Sequence, residues 1–249
     1  MINSEREWNW MNDKRKTLAI IPARWGSTRL PGKPLADING KPMIQWVYEA
    51  VQKSKADKVI VATDSFRIID AVNKFSGEAV MTSEDHATGT DRILEAYEGY
   101  KDEYDFVINV QGDEPIINEN DINTMIAQLK NGIESIVTLI GQITPKQCKD
   151  RNTVKAIIEN GKVAMFTRSP LYIQSNTVKR HIGIYGFTKA VLSKISRDNM
   201  DQTRNEFAEN LEQLRWCDNG IRIGYSFAAG LYKGIDTQED LDFVRTYLN

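Results

Sequence analysis

Apolar residues recur along this chain in two alternating rhythms. Unbroken runs at 18–21 (LAII), 58–63 (KVIVAT) and 105–110 (DFVINV) read as strands buried on both faces. Between them, apolar side chains return every three or four residues. Met43, Val47, Ala50 and Val51 mark one such face, and Pro42 stands where its fixed φ suits a first helical turn. Asp64 or Ser65 suits the cap of a helix running to about residue 75. Residues 78–82 form a short strand, 91–100 and 119–131 read as helices, and 134–140 as another strand. This alternation predicts an α/β fold: a Rossmann-like, mostly parallel sheet with helices on both faces. Ligands of such sheets gather at the carboxyl ends of the strands.

The rhythm changes near residue 150. Residues 154–169 (VKAIIENGKVAMFTRS) are strand, Asn-Gly turn and strand, a hairpin signal. A strand at 181–188, helices at 188–196 and about 204–218, a strand at 221–228 and a helix at 238–248 follow. We read 17–249 as one domain in which 150–225 forms a smaller α+β subdomain inserted in the sheet, re-entered near Gly234. Residues 1–16, with Trp8 and Trp10, lack the apolar centre of a signal peptide and read as a loosely ordered extension.

Composition narrows the partners. The chain has 249 residues, enough for a sizeable core, and a net charge of −2. No basic excess exists to neutralise a nucleic-acid backbone, so local cation clusters point to a small anionic ligand. Cys148 and Cys217 are the only cysteines and lack metal-type spacing, which fits a reducing cytoplasm. No apolar run approaches the ~20 residues of a membrane span. His86 and His181 are the only histidines, and no GxSxG elbow accompanies them, which argues against a serine hydrolase.

The richest chemistry follows the first strand. Residues 18–34 (LAIIPARWGSTRLPGKP) empty a strand into a loop carrying Arg24, Arg29 and Lys33, with glycines at 26 and 32. Such a loop suits a polyphosphate, because backbone N–H groups approach phosphate oxygens while cations offset their charge. Five residues separate the glycines and Pro34 follows Lys33, so this is not a Walker A loop. Asp113 and Asp236 each follow a strand-like segment, where an aspartate serves as metal ligand, turn former or helix cap. Thr237 with Asp240 also reads as a capping box. Glu209, Glu212 and Gln213 share a helix face, either solvated or turned to sugar hydroxyls.

Taken together, the segments IPARWGSTRLPGKPLADINGKPMI (21–44), VATD (61–64), MTSEDHATGTDR (81–92), VINVQGDEP (107–115), RHIGIYGF (180–187), LEQLR (211–215) and GIDTQEDL (234–241) resemble the CMP-Kdo synthetases, the 3-deoxy-manno-octulosonate (Kdo) cytidylyltransferases. The resemblance runs from about residue 17 to residue 249. It implies a nucleotidyltransferase fold and the joining of CTP to a 3-deoxy-octulosonate, giving CMP-sugar and pyrophosphate for lipopolysaccharide or capsule synthesis. Catalysis would fall to Lys33, Arg24, Asp113 and Asp236, with the two aspartates holding Mg²⁺ and a second Mg²⁺ on the outer phosphates. Ala23, Arg24, Arg29, Lys33, Thr63, Asp64, Thr88 and Gly89 would bind the nucleotide. Arg92, Gln111, Arg168, His181, Glu212 and Gln213 would bind the sugar acid, and Glu209 is a weaker candidate. The 150–225 region becomes a sugar-binding and dimerisation subdomain of a cytoplasmic homodimer. Trp25 replaces a common tyrosine, and residues 166–173 (FTRSPLYI) depart from the family pattern. That departure keeps in view the same chemistry on an 8-amino-octulosonate or another ulosonic acid; an alternative of another class is a non-catalytic CTP sensor.

Overall fold

The structure, a computed structural model, describes residues 14–26, 30–172, 175–195 and 200–249. From the N-terminus, β1 (Thr17–Ala23) leads through a 3-10 turn (Lys33–Leu35) and a small hairpin, β2 (Asp37–Ile38) and β3 (Lys41–Pro42), to α1 (Met43–Gln52). β4 (Lys58–Thr63), α2 (Phe66–Lys74), β5 (Ala79–Met81), α3 (Gly89–Glu98), β6 (Phe106–Asn109), α4 (Glu119–Lys130) and β7 (Ile136–Gly141) follow. Next come α5 (Pro145–Lys149), the hairpin β8 (Lys155–Glu159) and β9 (Lys162–Thr167), and the long β10 (Val178–Thr188). The order ends with α6 (Lys189–Ile195), α7 (Arg204–Glu209), α8 (Gln213–Asp218), β11 (Ile223–Phe227) and α9 (Gln238–Tyr247).

The described strands other than β2 and β3 join one sheet in the order β5-β4-β1-β6-β10-β7-β11-β9-β8. β5, β4, β1 and β6 run parallel, the expected consequence of helical crossovers between them. Strand alternation then sends successive residues to opposite faces. Leu18 and Ile20 join one apolar cluster with Ile93, Tyr97 and Trp216, while Ala19 and Ile21 join another with Ile44, Ile68 and Met125. Helices therefore cover both faces. A fully buried isoleucine contributes roughly 1.5–3 kcal/mol, so this double cover anchors the sheet centre. A third cluster, Ile38, Met43, Ile116, Ile235, Leu241 and Val244, seats α9 against the small hairpin.

The second half departs from expectation in two places. Residues 150–225 do not form an insertion re-entered near Gly234. β10 lies between β6 and β7, antiparallel to both, and β11 pairs in parallel with β7. The β8–β9 hairpin turns at Asn160 and Gly161, both at positive φ, as the Asn-Gly signal requires. Its β8 pairs with the start of β10 and its β9 with Ile223 at the start of β11. Those contacts lie toward opposite ends of the sheet, so the hairpin curls across a face. The single helix expected over 204–218 is broken instead, because Asn210 adopts the left-handed conformation and ends α7. Trp8 and Trp10 fall outside the described residues. Among the described residues, no helix is long and apolar enough to cross a membrane.

Candidate active site

The carboxyl ends of β1 and β6, the N-terminus of α3 and the segment before α9 meet around a cleft of about 290 Å³. Ala23, Arg24, Lys33, Thr88, Gly89, Arg92, Gln111, Asp113 and Asp236 line it, with Pro22, His86 and Gly112 among their neighbours. Gly112 is required here by close approach: a Cβ at this position would lie 2.7 Å from the Pro22 carbonyl oxygen. Only a bare backbone lets the ends of β1 and β6 come together.

Lys33 sits at the centre of the charge. Its Nζ donates to Asp113 Oδ2 at 2.6 Å, to the Ile235 carbonyl at 2.9 Å and to Asp236 Oδ1 at 3.3 Å. Two aspartates 123 positions apart in sequence thus converge on one cation. The capping reading of the second segment holds as well: Thr237 caps α9 with Asp240, leaving Asp236 to face the cleft. Asp240, paired with Lys233 and bonded to backbone N–H groups, is held down to about 2 against the cost of its burial. Beneath the pair, the Glu114 carboxyl is pushed up to about 8, first by burial and then by Asp113. Arg180 partly offsets this, and its guanidinium also donates to the Tyr232 carbonyl.

On the opposite wall the charges are spent on structure. Arg92 is buried and pairs with Asp64 at 3.0 Å while also donating to Thr82. The other Asp64 oxygen accepts the Trp25 N–H at 2.8 Å, which ties the loop after β1 to β4 and α3. Thr88 caps α3 in a reciprocal box with Asp91. Glu212 accepts from the hydroxyls of Thr88 and Thr90 and from Arg215, and burial raises its carboxyl.

The expected site residues therefore divide. Ala23, Arg24, Lys33, Thr88, Gly89, Arg92, Gln111, Asp113 and Asp236 come together, and Glu212 stands behind Thr88. Thr63 is fully buried, with its hydroxyl accepting the Ser65 N–H, and neither it nor Asp64 lines the cleft. Gln213 is buried at the start of α8. Arg168 reaches the carbonyls of Arg151 and Asn152. His181, on β10, packs against Phe166 and Tyr185 and bonds Thr138; burial, with Arg168 nearby, lowers its imidazole to about 3. It is neutral at physiological pH and offers no cation to a carboxylate. Glu209 is consumed in holding Thr167, Ser169 and the Arg168 N–H. Arg29 lies outside the described residues.

A model of the cytidylyltransferase family matches residues 18–223. The 3-deoxy-manno-octulosonate cytidylyltransferase of Parabacteroides distasonis is 41% identical over 249 residues, covering 94% of this chain and 98% of its own. An Escherichia coli protein of the same name is 41% identical over 240 residues, covering 94% and 96%. The chain belongs to the 3-deoxy-manno-octulosonate cytidylyltransferase family. A solved CMP:2-keto-3-deoxy-manno-octonic acid synthetase in complex with CTP superposes with a TM-score of 0.87 at 38% identity, covering 94% of this chain and 98% of that one. A 4-diphosphocytidyl-2C-methyl-D-erythritol synthase from Anaerococcus prevotii, 20% identical with a TM-score of 0.66, shares the fold alone. The octulosonate cytidylyltransferase match spans both walls of the cleft, so the poised Lys33 cluster and the spent Arg92–Asp64 pair both lie within it.

One participant escaped the sequence reading altogether. The Ile235 carbonyl helps hold Lys33, and a backbone acceptor leaves no trace in residue type. Glu114 did carry a signal, its place beside Asp113, but its burial depends on the chain segment around Gly234.

Proposed function

We propose that this cleft transfers the cytidylyl group of CTP to Kdo, releasing pyrophosphate. The observation that carries the reading is the convergence of Lys33, Asp113 and Asp236 at the strand ends, in a chain so similar to the family throughout. The anomeric hydroxyl of the sugar acid attacks the α-phosphorus of CTP in line. A new P–O bond forms there, the bond to the β-phosphate oxygen breaks, pyrophosphate leaves and the hydroxyl proton passes to solvent. Arg24 and the N-terminus of α3 border the cleft where the phosphates would lie, and their positive charge favours the departing anion. Gln111 lies between Gly89 and Gly183, where its amide can orient the sugar.

Magnesium is part of this proposal. Among the described residues no group of three or more His, Cys, Asp or Glu side chains is placed to hold a metal. Two carboxylates on one ammonium nevertheless fit a hard divalent ion that completes its shell with water and phosphate oxygens. Asp113 and Asp236 would hold it, and when bound it would neutralise phosphate charge and ease loss of the hydroxyl proton. We further propose a cytoplasmic homodimer, in keeping with the free Cys148 and Cys217, whose product enters lipopolysaccharide or capsule synthesis.

Pyrophosphate release from CTP and Mg²⁺ tests the reaction, with Kdo, its 8-amino analogue and a sialic acid as acceptors. Release with Kdo at least tenfold faster than with the others is the expected result. Silence across the panel would overturn the proposal. Sedimentation of the full chain tests the dimer.

A further inference from the structure

We infer that Lys33 is a cationic latch on the metal seat, so that nucleotide binding opens the place between Asp113 and Asp236 to a divalent ion. The inference rests on the reading of those two aspartates as metal ligands.

An ammonium has three hydrogens, and all three on Lys33 are engaged, by Asp113, the Ile235 carbonyl and Asp236. In this state none is left for a phosphate oxygen. The two carboxylates likewise direct an oxygen each at a positive charge, so a metal ion arriving there meets a cation already between them. Like charges at such separations repel. Lysine and metal therefore exclude each other.

The same geometry shows how the latch opens. The Lys33 side chain is only 16% exposed, whereas those of Asp113 and Asp236 are 34% and 48% exposed, so the carboxylates are accessible from the cleft. The arm to Asp236 is long at 3.3 Å. The lysine stem has four rotatable carbons, and the residue itself borders the cleft beside Arg24. A triphosphate offers more negative charge than the aspartates it would replace. When Lys33 turns to it, the seat gains a vacancy for a divalent ion at the moment a second set of oxygen ligands arrives. Nucleotide and metal then bind with positive coupling, and linkage makes the effect reciprocal. One side chain thereby keeps the ion from occupying the carboxylates before there is a phosphate to act on.

The test is Mn²⁺ binding to the full chain without nucleotide, read by electron paramagnetic resonance of the free ion. The natural chain is expected to bind weakly at this seat. Lys33→Met should tighten binding at least tenfold, and Lys33→Gln should do so too, with far-UV circular dichroism confirming that each is folded. Lys33→Arg, which keeps the charge, should stay near the natural value. Adding Asp113→Asn to Lys33→Met should abolish the gain. Folded Met and Gln variants that bind no more tightly than the natural chain would overturn the latch, as would a gain that survives Asp113→Asn. The functional reading stands or falls separately, on pyrophosphate release by the natural chain.

Discussion

Two ion-pair clusters reach this cleft, one through Arg92 and the other through Lys33, and each sets a cation against aspartate. On one side Arg92 is buried and pairs with Asp64, whose side chain is 11% exposed; with Thr82 and the Trp25 N–H they tie three elements together. On the other Lys33 joins Asp113 and Asp236, whose side chains remain partly open to the cleft. A buried pair missing one member leaves an uncompensated charge, whereas an accessible pair can exchange partners at little cost. The first arrangement holds shape. The second can take part in chemistry. Both set a cation against aspartate; solvent access tells them apart.

The strongest way to break this comparison is at the open cluster. Asp113→Asn should lower turnover on the order of 10³-fold, with CTP affinity within a few-fold, as read by pyrophosphate release and calorimetry. Near-normal turnover would remove Asp113 from the chemistry. Arg92→Met attacks the closed cluster and should cost about 3–5 kcal/mol in urea unfolding, because the little-exposed Asp64 carboxylate loses the cation it pairs with and keeps the Trp25 N–H. A loss below about 1 kcal/mol would mean that water reaches Asp64.

His181 provides an intermediate effect with a defined sign. Its folded-state pKa, about 3, lies below the ordinary value of 6.5, so the unfolded chain binds the extra proton between these limits. Stability from this residue is present above pH 6.5 and declines as the pH falls toward 3. The slope is at most about 1.4 kcal/mol per pH unit for one proton, and His181→Gln should remove it. Equal slopes in the two chains between pH 5 and 6.5 would show that the imidazole takes up its proton without unfolding. The smallest effect expected is that of Asp236→Asn on stability, under about 1 kcal/mol, although the same substitution should depress turnover. A larger loss in thermal unfolding would place Asp236 with the structural pair instead.

Much of the parallel half was legible because its information is local. Apolar runs marked β1, β4 and β6, and periodic faces marked α1 and α4. Strand direction then brought separate motifs to one end. The place of β10 was not legible, since its neighbours β6 and β7 lie far away in sequence and an apolar run does not itself say which strand it joins or in which direction. The site was legible in the same uneven way. Gly112, Asp113 and Lys33 follow their strand or loop directly and fall in the cleft. Asp64 and Arg92 belong to equally suggestive motifs, yet each one's partner is the other, 28 positions distant. Arg168 and His181 depend on how the β8–β9 hairpin curls, which no spacing along the chain encodes.

The position of β10 also has a consequence for the order in which the chain can become native. β6 and β7 are neighbours only through a strand supplied by residues 178–188. While the chain is being synthesised, the edges of both strands must wait for more than thirty further residues after β7 ends. A nascent chain halted before Val178 would leave β6 open on one edge and β7 open on both, since β11 is also still to come, the kind of surface that recruits strands from other molecules. Shielding of those edges during synthesis is a demand that the architecture itself places on the cell.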